Sequence, residues 1–442
     1  MRRRIWCTAI LGWACATPTH PGESGFGIGL ALAHDSNIFR VETNPQGEWT
    51  QSLLAGLFFR ENTIDVTARV HAQVERRHFY HHTFSDDTGG FLDGATVWTI
   101  LPRQFNWTVE DTFREVQIDV TAPNTPSNLT KSNTLSTGPD FTFPLSSTNS
   151  AVLGGRYGRF DIKNSINDNQ RYTGYVRGVH ALTPQSKISL NYEAARVYFE
   201  PGAQLYSKAL RKDWFGRFEN RSAMNTTTID IGTSRATTYG AGPDVGGRLA
   251  RATFSETLSS QSTVRIALSD QVSDTYTDLL GGVTISTAPR DPAVVVLNPS
   301  AFASGDLYHS KRGDLGYANN DGRFGYTLQG FWRRVDFVTQ DDNDYLEKGG
   351  AFLWSWVLSG SMRFGASGTY SMRAFANIDR QDTDRTYGVT ATYRLNSNVT
   401  VATDIGRIKR QSTVPLQGFV DNRVVLVLGY SSGSFPDVRS RR

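Results

Sequence analysis

The clearest pattern in the chain is a two-residue alternation between positions 63 and 76. Ile64, Val66, Ala68, Val70, Ala72 and Val74 occupy one set of positions. Thr63, Asp65, Thr67, Arg69, His71, Gln73 and Glu75 fall between them. Successive side chains of a strand point to opposite sides, so this is one strand with an oily face and a wet face. It is far longer than the roughly five or six residues of an average soluble strand. A tilted membrane-spanning strand needs about 9–11.

The alternation recurs. Phe105, Trp107 and Val109 alternate with Asn106, Thr108 and Glu110. Ile188, Leu190, Tyr192 and Ala194 alternate with Ser189, Asn191 and Glu193. Val264, Ile266 and Leu268 alternate with Arg265, Ala267 and Ser269. Tyr387, Val389, Ala391, Tyr393 and Leu395 alternate with Gly388, Thr390, Thr392 and Arg394. Helical periodicity is not found beyond the first residues.

The connections alternate in length as well. Short ones fall at 60–62, 102–103, 145–149, 183–185, 259–261, 319–322 and 396–398, and they read as tight hairpins. Between them lie polar stretches at 77–90, 116–133, 162–170, 200–212, 236–247, 275–306, 338–348, 376–384 and 411–421. Such sorting is the signature of a meandering outer-membrane barrel, with short turns on the periplasmic side and long loops outside. The fold expected is therefore all-β: a transmembrane antiparallel up-and-down β-barrel of about 16–20 strands, an even number. The tally of segments is 20, from Gly25–His34 to Arg423–Ser431. A soluble β-sandwich array would have shorter strands and no sorting of loops by length.

Composition now fits. Hydrophobic residues are only 38% of the 442, as expected when half of every strand faces water. After Ala16 no apolar run approaches 18 residues, so a membrane crossing here is made by strands.

The N-terminus alters the reading of charge and cysteine. Arg2, Arg3 and Arg4 precede the apolar stretch Ile5–Ala16, and Ala14-Cys15-Ala16 has the form of a cleavage site. This is the pattern of a secretory signal peptide. A lipoprotein signal would want Leu three residues before Cys15, where Gly12 stands. The expected organisation is a signal peptide at 1–16, a short segment at 17–24, a barrel at 25–431 and a tail at 432–442. Cys7 and Cys15 would leave with the leader, as would three arginines. That leaves 43 basic against 42 acidic residues, a balance that gives no argument for nucleic acid. The expected location is the outer membrane of a Gram-negative bacterium.

The wet faces supply candidate pore-lining residues: Asp65, Arg69, His71, Glu75, Glu110, Arg114, Glu193, Arg217, Glu219, Arg221, Asp230, Glu256, Arg265, Arg394 and Asp404. Their signs are mixed. Such a wall hydrogen-bonds sugar hydroxyls and carboxylates without strongly selecting the sign of an ion. Simple solvation of a water-filled barrel, with cross-strand pairs holding the register, accounts for the same residues.

Signals for chemistry are sparse. His78, His81 and His82 lie close together, with Asp86 and Asp87 nearby, but in a stretch read as an external loop, and a solvated cluster is the plainer account. A barrel lipase needs a serine, a histidine and an orienting acid or amide face to face. His71 is placed on the wet face, His180 is ambiguous in register, and no pattern identifies a partner serine. No enzyme, cofactor or metal is expected. Within the longest connection, Pro292–Leu297 is an apolar patch that external solvent does not call for. Two readings are open: it folds inward to narrow the pore or cover its mouth, or it is an external strand extension packed on neighbouring loops. Trp49, Trp98, Trp107, Trp332, Trp354 and Trp356 are expected in interfacial girdles.

Several local motifs, taken in order, resemble the outer-membrane family called putative beta-barrel porin 2. They are Asp35-Ser36-Asn37-Ile38-Phe39-Arg40, Trp107-Thr108-Val109-Glu110-Asp111, Thr137-Gly138-Pro139-Asp140-Phe141, and the closing run Asn422 to Tyr430. The resemblance spans nearly the whole chain after the leader. It implies a role beside exopolysaccharide or capsule production, as a conduit in export or secretion. One departure is a 12-residue tail, Ser431 to Arg442, after the last strand aromatic. The C-terminal aromatic that assembly machinery recognises is then Tyr430 or Phe435.

The expected function is a porin-like channel for a polysaccharide or its fragments. Its expected partners are outer-membrane lipids, the barrel-assembly machinery, polysaccharide and periplasmic export components, with no nucleic acid. Two other classes remain: a non-conducting structural or adhesion barrel, and an outer-membrane lipid hydrolase. The barrel reading predicts that the protein migrates differently on a gel before and after boiling. Unchanged mobility with a helical circular dichroism spectrum would reject it.

Overall fold

A computed structural model describes residues 22–163, 168–200, 206–240, 242–280, 304, 306–339 and 341–433. The expected signal peptide, the patch at 292–297, Phe435 and most of the tail lie outside the described residues.

In chain order the strands begin with β1 (Glu23–Asp35), β2 (Glu48–Asn62), β3 (Val66–Phe79), β4 (Asp87–Leu101), β5 (Phe105–Gln117), β6 (Leu129–Pro144) and β7 (Asn149–Ile162). Next come β8 (Asn169–Ala181), β9 (Ser186–Phe199), β10 (Tyr206–Arg221), β11 (Asn225–Gly240), β12 (Val245–Ser259) and β13 (Ser262–Ser273). A short helix, α1 (Thr275–Leu280), follows. The chain resumes with β14 (Tyr308–Asn320), β15 (Phe324–Phe337), β16 (Tyr345–Val357) and β17 (Met362–Phe375). It closes with β18 (Arg380–Arg394), β19 (Val399–Ser412) and β20 (Phe419–Gly433).

Among the described residues these twenty strands form one sheet, each antiparallel to its neighbours in sequence. β20 returns to pair with β1 over Gly25–Asp35, so the sheet has no edge. Closure satisfies every strand's backbone donors and acceptors within the protein, the condition for crossing hydrocarbon with strands. The fold is a closed 20-stranded outer-membrane-type barrel.

Directly paired residues share a face, so the register carries one face from strand to strand around the ring. Starting from Phe26, Ile28, Leu30 and Leu32, the outward set passes through Leu53, Ala55 and Leu57 of β2 to Val70, Ala72 and Val74 of β3. Followed all the way round, it returns through Leu426, Leu428 and Tyr430 to β1 without a break in parity. The set is apolar, and its largest members are exposed: Leu30 is 48% and Leu53 58% accessible. Facing lipid, this belt is required; facing water it would be a liability. All six tryptophans expected in girdles fall on this outer face.

The inner face is mostly polar, with apolar clusters near the extracellular ends of the strands and one at the closing seam. Ala31, Ala33, Leu54, Val425 and Val427 pack together there with Phe58 and Ala402. The run Val424–Leu428 is apolar at every position because β20 buries both faces: outward against lipid, inward in this cluster.

Boundaries differ from the sequence expectation in a consistent way. The β2–β3 turn is Thr63–Asp65, not 60–62, and β3 starts at Val66. Two further short turns, at 222–224 and 358–361, join the expected ones. Three of the stretches read as long loops are more than half strand: β10 already starts at Tyr206, β11 runs to Gly240 with β12 from Val245, and β18 starts at Arg380. Above the membrane neither strand face meets lipid, so both are polar and the alternation disappears while the pairing continues. In the turn at Asp321–Arg323, Gly322 takes a φ of 88°. Asp321 accepts the Arg323 and Phe324 amides.

Leu30 sits between Leu53 and Leu428 on the lipid side of the seam. Leu30→Arg is expected to destabilise the folded barrel by about 2–4 kcal/mol, the cost of a basic residue near the bilayer midplane. Urea unfolding from lipid vesicles reads this directly.

Candidate functional site: the charged lumen and its closed mouth

Thirteen of the fifteen candidate residues fall on inward-facing positions of the register. They are Arg69, His71 and Glu75 of β3, Glu110 and Arg114 of β5, and Glu193 of β9. Arg217, Glu219 and Arg221 of β10, Asp230 of β11, Arg265 of β13, Arg394 of β18 and Asp404 of β19 complete the set. Two expectations need correction. Asp65 is not on the wall; it lies exposed in the β2–β3 turn. Glu256 faces outward, since it pairs with Val264 on the lipid-side row of β13. The alternation is weak in β12, and this allowed the one-residue slip that inverts a face. His180, ambiguous from sequence, faces outward and contacts Asn149 at 2.9 Å.

The wall is organised as cross-strand ion pairs. Arg217 makes a bidentate contact with Asp230 at 2.6 and 2.9 Å, and Arg251 meets the same carboxylate at 2.9 Å. Arg114 pairs with Asp93 at 2.7 Å and Arg156 with Asp140 at 2.6 Å. Arg251, Asp93, Asp140 and Arg156 were not among the sequence candidates. Their strands carry small or polar residues on the outer face, such as Gly90 and Gly94 of β4, Asn133 and Thr137 of β6, Gly155 and Arg159 of β7, and Gly246 and Arg248 of β12, so the oily half of the pattern is too faint to assign the wet half. Asp111, within one of the family-like motifs, faces outward between Gly94 and Leu135 and is 8% exposed.

At the extracellular end the lumen is crossed by two inward-folded segments. The first is α1. Leu279 and Tyr276 pack on Val116, Phe160 and Ile162 of β5 and β7. Asp274, just before the helix, pairs with Arg171 of β8, which also stacks over the Tyr276 ring at 4.2 Å. Asp278 takes a hydrogen bond from Tyr308 at 2.7 Å and pairs with Arg333 at 3.0 Å. The helix thus joins inward-facing residues of β7 and β8 to those of β14 and β15.

The second segment is the β5–β6 connection, 118–128. Val120 inserts into an apolar cluster of Tyr308, Val335, Phe337, Tyr345 and Phe375. Arg373 of β17 donates to the Val120 carbonyl at 3.0 Å, and Arg380 of β18 to that of Thr121 at 2.7 Å. Arg40, in the β1–β2 loop, donates to the Asn124 carbonyl and pairs with Asp421. Inside the loop, Asn128 fixes the turn by donating to the Asp119, Ala122 and Pro123 carbonyls. In a ring of twenty, β17 is eleven strands from β6 one way and nine the other, so this loop spans the mouth.

Electrostatics hold the closure in place. Burial would push the Asp274 carboxyl up, but the Arg171 and Arg211 guanidiniums beside it hold it down at about 2. Burial raises the Tyr276 hydroxyl, which keeps it a neutral donor; it reaches the Leu135 carbonyl at 3.4 Å. The expected histidine cluster divides. His78 contacts Asp86 at 2.9 Å, which holds that carboxyl below its usual range, while His81 turns to Glu48 at 3.2 Å. The three rings do not converge on one point.

Breaking the Asp274 contact should loosen α1. Asp274→Asn is expected to speed amide exchange at residues 275–280 about tenfold or more, from the loss of a charge-assisted hydrogen bond. Since the native pKa is depressed, the wild-type latch is fully present above the ordinary carboxylate value of 3.8. It is lost as pH falls through about 2. Exchange rates unchanged in the variant would show that the apolar contacts alone hold the helix.

Residues 357–430 match the family model described as putative beta-barrel porin 2. This stretch runs from the end of β16 to Tyr430 in β20 and includes the closing motif; the three earlier motifs lie outside it. No curated protein matches the chain. Among solved structures, the chain is similar to the siderophore receptor PirA from Pseudomonas aeruginosa at 12% identity. The alignment covers 93% of this chain and 81% of that one, with a TM-score of 0.44. It is similar to OccK3 (OpdO) from the same organism at 11% identity, covering 93% and 96%, with a TM-score of 0.36. The FrpB iron transporter from Neisseria meningitidis is 10% identical, with coverages of 92% and 81% and a TM-score of 0.44.

Proposed function

We propose that this chain is a channel of the Gram-negative outer membrane, exported by a cleaved leader, and that it conducts a polysaccharide or its fragments outward. The observation that carries the reading is the inner wall. Around the ring the inward positions carry Arg, Asp, Glu, Ser and Thr, which hydrogen-bond water and sugar hydroxyls alike. A barrel that served only as an anchor has no need of so many charges facing inward. Barrels of 16–18 strands leave an aqueous channel, and those of about 22 hold a plugged lumen. Twenty strands with a mouth closed by their own loops fit a conduit that rests shut. The match over residues 357–430 supports the porin class. The polysaccharide rests on the family resemblance of the motifs and on the hydroxyl-compatible wall. Lipids, the assembly machinery and periplasmic export components are the partners this reading calls for.

The closed mouth also favours a second reading, a non-conducting barrel whose loops bind external partners. Planar-bilayer recording separates the two. The channel reading expects small or infrequent openings in the wild type and larger ones in an Asp274→Asn/Asp278→Asn variant. A folded double variant that never conducts at any voltage would reject the channel. For the cargo, a strain lacking the protein should retain polysaccharide in the periplasm; unchanged secretion would reject that part alone.

A further inference from the structure

The lumen's cations are not distributed alike along its axis. Near the extracellular end, inward arginines have acidic partners: Arg171 with Asp274, Arg333 with Asp278, Arg373 with Glu347, and Arg410 with Asp384. At mid-wall the same holds for Arg114, Arg156 and Arg217. The other end differs. Arg69, Arg221, Arg265, Arg363 and Arg394 all face inward, each within four residues of a short turn. None of the five has an ion pair among the described residues.

Their placement carries a cost that acid partners would have removed. Arg69 stands directly opposite Arg60 across β2–β3. Arg363 pairs with Thr392, which sets Arg394 on the diagonal of the same face. Like charges at these separations destabilise a sheet. Acids at this level are few: Glu23 stands opposite Arg60 across β1–β2, and Glu219 is engaged by Lys187 at 2.5 Å and Arg217 at 3.5 Å. Four of the five, Arg69, Arg221, Arg363 and Arg394, are exposed.

We infer that the periplasmic mouth is an anion-gathering collar, and that the solutes it admits carry carboxylates, as acidic oligosaccharide chains do. This deepens the proposed conduit and rests on it. Five guanidiniums on β3, β10, β13, β17 and β18 surround the opening. Each can bind a carboxylate in a two-pronged contact. A constriction lined by one sign of charge concentrates its counter-ions locally. Farther in, the balanced wall lets an anionic chain pass from arginine to arginine without a deep trap, as conduction requires. The sign selection therefore belongs to the entrance, not to the wall as a whole.

The test uses the whole barrel and two readouts. In planar bilayers under a KCl gradient, the wild type should show a reversal potential on the chloride side. Arg→Gln at the five positions should move it toward zero, and Arg→Lys should keep it. A conducting wild type without chloride preference, or a preference the glutamine variant retains, overturns the collar. Independently of conduction, fluorescent oligogalacturonate should bind the detergent-solubilised barrel more tightly than a neutral maltooligosaccharide. The glutamine variant should lose about tenfold or more of that affinity. A two-site variant, Arg265→Gln/Arg394→Gln, whose folding is checked by gel mobility before and after boiling, should lose part of it. Binding that ignores these substitutions overturns the collar even if the channel conducts. Binding without conduction leaves the collar standing and removes the conduit.

Discussion

The pairing of β20 with β1 is the contact on which everything else depends. Eleven residue pairs close the ring, from Gly25 with Gly433 to Asp35 with Arg423. Without them two edges would present unpaired amides and carbonyls to hydrocarbon, each costing several kcal/mol. The seam strands reflect that demand. β1, β2 and β20 are apolar outward, and inward they bring Ala31, Leu54, Val425 and Val427 into one cluster. Closure also fixes parity. Once Leu30 faces Leu428 across the seam, every other strand's wet and oily faces are determined.

Parity explains why most of the barrel was legible from sequence. Where outward residues are bulky, as at Ile64–Val74 or Tyr387–Leu395, the inward residues follow from counting in twos. That places Arg69, His71, Glu75 and Arg394 without any structure. Where outward residues are small or polar, the count loses its anchor. Counting in twos therefore puts Glu256 on the wrong face, and gives no signal for Arg251, Asp93 and Arg156. Asp65 belongs to a turn that the alternation ran through, because Ile64 continues the apolar parity two residues before the strand starts.

The closure of the mouth was not legible, and its physical cause is different. The β5–β6 connection reads as a polar loop, and Val120 is one apolar residue within it. Its function depends on Tyr308, Val335, Tyr345 and Phe375, which lie some two hundred residues away in sequence. No local pattern encodes a contact of that range. The same holds for α1, whose Asp274 and Asp278 find arginines on β8 and β15, seven strands apart around the ring. The arginine collar needs two kinds of knowledge at once, the inward parity and the positions of the turns. Composition hides it, because the chain is nearly neutral overall, with a net charge of +4 over 442 residues.

The 118–128 loop has a mechanical meaning beyond occlusion. A ring of twenty strands is a thin hoop, and thin hoops ovalise easily. Here a strut runs from β5 and β6 to the far side and is pinned by Arg373 and Arg380, with a third bolt at Arg40. A hoop braced across its diameter keeps its cross-section only while the brace is seated. Any load that unseats the strut on one side therefore changes the shape of the wall on the other, and the width of the passage and the position of the loop become a single variable.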